Sequence, residues 1–286
     1  MRSRIGEPTS RTDQCRLGAT MKTPDRKRRR RVAAAAAVCA AALMVAASCS
    51  SDATGTTSKA VTEFGASTTL GNGSARSYII SLDGIPSEIG IALSADALDG
   101  LQTAPLMGGY ETLVPLPAHN VTQFQVIGLN WNPTGHPPPM VYTVPHFDFH
   151  FYMTSLTDRN AIDPSDPAFA TKAASLPATD SRPPGYAADV PANAVPHMGL
   201  HWTDTTGGEF HGQSFTRTFV AGSWNGQFTF LEPMVTRGYL LTKPTDFLPV
   251  RTASLRVAGG YYPAAYRVTW DSTSSEWHIA LANLSK

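Results

Sequence analysis

His146-Phe147-Asp148-Phe149-His150-Phe151-Tyr152 alternates ligand-type side chains with aromatic ones at a period of two. A strand turns successive side chains to opposite faces. His146, Asp148 and His150 then share one face, and Phe147, Phe149 and Phe151 the other. The phenyl face needs a core to bury in. The polar face presents two imidazoles and a carboxylate to a site. Such a strand belongs to a mainly β fold: one antiparallel sandwich or barrel-like domain with one or two short helices.

Strand patterns continue on both sides. Ser77–Leu82 and Glu88–Leu93 flank the turn cluster Asp83-Gly84-Ile85-Pro86 and read as a hairpin. Ala95–Leu101 suits one or two helical turns, and Tyr110–Leu116 and Gln123–Leu129 suit strands. Asn130 to Pro139 reads as a loop, because its prolines cannot donate ladder hydrogen bonds. A strand is expected over Met140–Met153, broken or bent at Pro145. Ser165–Ser175 reads as a helix capped by Ser165, and 177–196 as a long irregular loop. Phe215–Ala221 and Gln227–Leu231 form a second hairpin around Gly222 to Gly226. Tyr239–Leu241 and Ser254–Val257 suit short strands. Tyr266–Trp270 and Trp277–Ala282 close the domain.

The N-terminus carries targeting signals. Arg26 to Arg31 is an unbroken basic run, and Val32 to Ala47 is an apolar stretch of sixteen residues, mostly alanine. It is too short and weakly apolar for a membrane span, and small residues suited to cleavage follow it. Residues 1–48 therefore read as a leader, with 1–20 an overlong start before Met21. The arginines raise a twin-arginine route, which the alanines after them fit poorly. Cleavage before Cys49 resembles lipoprotein processing, although Ala46 stands where Leu is usual. Of Cys15, Cys39 and Cys49 only Cys49 survives that cut, placed for acylation and a membrane anchor. Plain secretion is the alternative. Residues 49–75, rich in Ser, Thr and Gly, read as a flexible tether, and 76–286 as the β-rich domain.

Without the leader the chain holds 12 basic and 19 acidic side chains, a net charge of −7. An acidic exported domain is a poor partner for nucleic acid. There is no Gly-x-Ser-x-Gly elbow, no Walker loop and no dinucleotide fingerprint, and no cysteine remains inside the domain. Any substrate is illegible, and an oligomer is compatible with everything here.

Clustered His, Asp and Glu point to a metal ion. Half of the eight histidines lie in His146–His150 and in the segment Pro196 to Trp202, which contributes His197 and His201. Neighbours on one strand face are roughly 6.5–7 Å apart, while metal–nitrogen bonds are only ~2.0–2.1 Å long. One ion therefore accepts an i, i+2 pair, His146 with Asp148 or Asp148 with His150. His146 and His150 together need a bend. His197 and His201 chelate if Pro196 opens a helical turn, which Gly199 weakens. Glu232, after the strand bearing Phe228 and Phe230, is the next ligand, and His136 is a further one. His119, His211 and His278 lack ligand-like neighbours or lie on a turn. The expected ion is a divalent metal, zinc first; Met153, Met198 and Met234 raise copper, although methionines are more often core fillers. A metal-free network with Tyr142 and Tyr152 is the bland alternative.

Several segments together resemble an uncharacterised family of exported bacterial β-rich proteins, named after a sigma-E-regulated protein of a thermophile. Gly71-Asn72-Gly73 through Tyr78, Leu82 to Pro86 and Ile89-Gly90-Ile91 look like its opening. Leu129 to Pro133 with Gly135-His136, Pro145–Met153, Met198 to Trp202 and Glu232 to Thr236 look like its later motifs. The resemblance implies an envelope or secreted β-rich domain and carries no activity. Three readings stand: a tethered extracytoplasmic metal-binding domain, a metal-dependent hydrolase or lyase that activates water with the same residues, and a non-catalytic stress-response or assembly module.

Overall fold

The computed structural model describes residues 58–251 and 259–286. The strands in chain order are β1 (Ala60–Phe64), β2 (Thr68–Leu70), β3 (Gly73–Leu82), β4 (Ile85–Ser94), β5 (Tyr110–Pro115), β6 (Val126–Asn132) and β7 (His146–Tyr152). Then come β8 (Tyr186–Ala188), β9 (Leu200–Asp204), β10 (Arg217–Trp224), β11 (Gln227–Thr236), β12 (Thr245–Pro249), β13 (Ala265–Asp271) and β14 (Glu276–Ala282). Three short helices, α1 (Leu156–Asn160), α2 (Phe169–Ala174) and α3 (Arg237–Leu240), lie between strands. No helix of the described residues is long and apolar enough to cross a membrane.

The strands form two antiparallel sheets, a sandwich rather than a closed barrel. One runs β1-β3-β4-β14-β13-β12 with β2 also on β3; the other runs β5-β6-β7-β11-β10-β9-β8. Two hairpins follow from their turn residues. Asp83-Gly84 joins β3 to β4 and Asn225-Gly226 joins β10 to β11, all four residues at positive φ. This is the type I′ geometry that Asp-Gly and Asn-Gly favour, because its twist matches the flanking strands.

A continuous apolar core joins the inner faces of the two sheets. Ile79, Ile89, Ile91 and Leu93 enter from the first, and Ile127, Leu129, Phe147, Phe149, Phe151, Leu231 and Val235 from the second. The phenyl face of β7 is thus inward, as its alternation requires. Each buried phenyl contributes roughly 1.5–3 kcal/mol. This burial fixes the register, since a slip of one residue would turn His146, Asp148 and His150 into the core.

Several expectations are corrected. Residues 60–75 are not tether: β1 and β2 pair along β3, so the domain begins ahead of Arg76. β1 is almost entirely exposed, and backbone pairing rather than burial holds it, so composition gives no signal. Leader and Cys49 lie outside the described residues, as does Ser254–Val257. Asn130 to Asn132 belong to β6 rather than to the loop. The strand expected over Met140–Met153 starts only at His146. The helix expected over Ser165–Ser175 shrinks to α2, with Ala168 and no side-chain cap at its start. Ala95 to Ala97 make turns. Tyr239 lies in α3, because Thr236 accepts from the Tyr239 N–H and caps a helical turn.

Candidate metal centre

The polar face of β7 is the outer face of its sheet, yet it is buried. His146 is 0% exposed, His150 1% and Asp148 5%. Two small apolar clusters roof its ends. Val195 and Met198 pack on Val126, Tyr152 and Phe230 at one end. Val141, Tyr142 and Phe215 pack on Val220 and Met234 at the other. Between them a polar row crosses the sheet: on β6, Asn132 is paired with His146 and Asn130 with Asp148.

Six ligand-type residues here resolve into two triads, each with its ligand atoms within 4.8 Å of one another: His136, His146 and Asp148, and His150, His201 and Glu232. His146 and Asp148, expected to share an ion, come together. The third member of their triad is His136, from the loop ahead of β7. His201 and Glu232 join His150 instead, so the alternative pair of Asp148 with His150 does not come together. His197 enters neither triad. It is exposed at φ 66, its N–H donating to Ile162 O, and Gly199 at φ 95 follows, so no helical turn places it beside His201.

In the first triad His146 Nε2 lies 3.1 Å from Asp148 Oδ1, and His136 Nε2 lies 3.5 Å from Asp148 Oδ2. Asn132 Nδ2 donates to Asp148 Oδ2 at 2.7 Å and orients the carboxylate. The other ring nitrogens face backbone carbonyls: His146 Nδ1 sits 2.7 Å from Val144 O, and His136 Nδ1 2.7 Å from Pro137 O. A carbonyl oxygen only accepts, so each Nδ1 carries the proton. In the neutral rings both Nε2 lone pairs then face the Asp148 carboxylate. His146 Nε2 and Asp148 Oδ1 are both buried, close, and not aligned as a hydrogen bond. His136 reaches the triad because the chain doubles back at Gly135, where φ is 71 and an added Cβ would meet Val144 N at 2.6 Å. The His136 ring then lies edge-on to His146, centroids 4.7 Å apart.

In the second triad His150 Nε2 is 3.4 Å from Glu232 Oε1, and His201 Nε2 is 3.8 Å from Oε2. Both His150 ring nitrogens and Glu232 Oε2 are buried without a hydrogen-bond partner. The Gly128 backbone is near His150 but outside hydrogen-bond alignment.

The electrostatics divide the two carboxylates. Burial opposes charge on Asp148, but His146 and His136 outweigh it and hold its carboxyl well below the usual range. Burial, then repulsion from Asp148, pushes Glu232 well above that range. Burial drives His150 down to about 3. Burial, then His136, drives His201 down to about 4, against the pull of Asp148 and Asp189. His136 is raised, because Asp148 outweighs the burial that opposes its charge.

The face also holds residues not anticipated as site components. Asn132 orients Asp148, and Asn130, opposite Asp148, has a buried side-chain oxygen without a partner. Their alternation around Trp131 repeats the period of β7 and becomes readable once the segment is a strand. Arg159, from α1, sits 4.9 Å over the Tyr152 ring and pairs with Glu111.

None of the six residues lines the two clefts of about 480 and 680 Å3, although Val144, Pro145 and Phe215 beside His146 line the larger. Comparison of the chain with protein-family models, curated proteins and solved structures yields no match.

Proposed function

We infer that this chain is an exported, lipid-anchored domain that binds a divalent metal ion, zinc first, at His136, His146 and Asp148. The observation that carries the reading is the pair of Nδ1–carbonyl contacts, which aims both Nε2 lone pairs at one carboxylate. Metal-bound histidines commonly donate their second N–H to a carbonyl or carboxylate, fixing the tautomer.

The donor set of two imidazoles and a carboxylate suits zinc. Copper loses its support, since Met198 and Met234 belong to apolar clusters and Met153 packs on the main core. The reading stops at binding: the larger cleft reaches Val144, Pro145 and Phe215, which touch His146, but none of the six ligand-type residues lines either cleft. The leader pattern and the likeness to the exported family support an envelope setting; the acidic charge argues against nucleic acid.

The test is metal analysis of the full chain purified without an affinity tag, together with thermal unfolding in added zinc, copper and other divalent ions. A chain with no ion that gains no stability from any of them would sink the reading.

A further inference from the structure

The first triad leaves three ligand-type residues on the same face. The geometry points to a second divalent-cation site formed by His150, His201 and Glu232, independent of the first and looser. The two triads share no ligand. Asp148 and His150 stand one pleat repeat apart on β7, roughly 6.5–7 Å. Two neighbouring ions therefore fit without a common donor.

Three observations carry the assignment. First, both His150 ring nitrogens and Glu232 Oε2 are buried with no hydrogen-bond partner, on side chains each 1% exposed. Buried polar groups in native folds are overwhelmingly satisfied, so such a convergence needs an occupant. Second, the separations suit coordination better than hydrogen bonding. Neighbouring ligand atoms of a tetrahedral shell with ~2.1 Å bonds lie roughly 3.4 Å apart. His150 Nε2 and Glu232 Oε1 are 3.4 Å apart, and the two oxygens of Glu232 face different rings, the second at 3.8 Å. Third, both rings are held by packing. Phe230 meets His150 at 4.8 Å and His201 at 5.3 Å between centroids, and Tyr152 stacks on His150 at an interplanar angle of 13°. The nearby cation Arg159 is committed to Glu111 and Asn160.

The site is looser because its outer contacts are missing. The Gly128 backbone beside His150 is not aligned with its ring as Val144 O is with that of His146, and Glu232 Oε2 lacks the amide that Asn132 gives Asp148. Loss of such contacts weakens metal affinity ~10–100-fold. The ligand class is a borderline divalent cation of the zinc type.

The test is zinc titration of the chelator-stripped, untagged full chain by equilibrium dialysis with elemental analysis. Two ions per chain are expected, the second ~10–100-fold weaker. Glu232→Gln, and separately His201→Ala at a partly exposed position, should lose the weaker ion and keep the tighter one. Asp148→Asn should lose the tighter. Circular dichroism checks that each variant is folded. One ion in the wild type, lost in Asp148→Asn but kept in Glu232→Gln, overturns this second site and leaves the first standing. One ion lost in Glu232→Gln but kept in Asp148→Asn overturns the first site and supports the second. A single ion lost in both variants, two ions retained in Glu232→Gln, or none in the wild type also overturns the second site.

Discussion

Asp148→Asn is the most discriminating change at the first triad. It keeps the shape of a buried side chain and removes the charge that two imidazoles face. Without metal the variant keeps the Asn132 hydrogen bond to its amide oxygen but loses the attraction of His146 and His136 that holds the carboxyl low, a cost of about 3 kcal/mol, the low end for a broken buried pair. For a domain of this size that lowers Tm by about 6–12 °C. The main effect appears with zinc. An ion present at a thousand times its Kd stabilises the fold by about 4.1 kcal/mol, which is about 8–16 °C in Tm. Wild-type protein should show this rise by differential scanning calorimetry when zinc is added to chelator-treated samples. In the variant, only the smaller rise due to the looser second triad should remain, and at zinc levels too low to fill that triad there should be none. An equal rise in both proteins at such low zinc would refute the role of Asp148. A wild-type rise below about 2 °C at saturating zinc would refute metal binding by this face.

Three further outcomes are expected. Gly222→Ala places a methyl group inside the Phe230 ring, which packs against Gly222; overpacking costs about 1–3 kcal/mol, readable as a lower urea midpoint, and an unchanged midpoint would contradict the packing described. Arg159→Met should destabilise by about 3 kcal/mol, the low end for a broken buried pair, because the Glu111 left behind is 27% exposed; a neutral result in urea unfolding would show that the pair contributes nothing. Glu232 sits above the usual carboxyl range, so in the metal-free protein its contribution to stability falls as pH rises from the ordinary Glu value through the raised one. Ion binding at its triad should then expel a proton from Glu232 at pH values below that raised one, with none from His150 or His201, already neutral at pH 7. Titration heats that do not vary with buffer ionisation enthalpy would exclude this.

The sandwich was legible where side-chain pattern and turn chemistry spoke together. Alternation over His146–Tyr152 gave a strand, its inward face and the polar row, and Asp83-Gly84 and Asn225-Gly226 gave two hairpins. β1 was illegible because an exposed edge strand is held by backbone pairing, which composition does not record. At the site, the closeness of His146 and Asp148 follows from strand spacing. The association of His136 does not, because it depends on the reversal at Gly135 and on Val144 and Pro145 bringing β7 back beneath the loop. His197 misled because nearness in sequence to His201 says nothing about direction once His197 and Gly199 take positive φ. Glu232 stands beside His150 and His201, a partnership set by the pairing of β7 with β11.

The placement of β7 also decides the order in which an ion would leave. His146, Asp148 and His150 ride on a strand with neighbours on both sides, and Glu232 rides on the adjoining β11. Backbone of this kind opens only when the domain does. His136, in a loop and 31% exposed, and His201, on β9 beside the short terminal strand β8, are the outer arm of each triad. Release and capture would therefore proceed through one swinging imidazole per ion, against a base that stays assembled. Loading rates would then be governed by the roof over the sheet rather than by its strands.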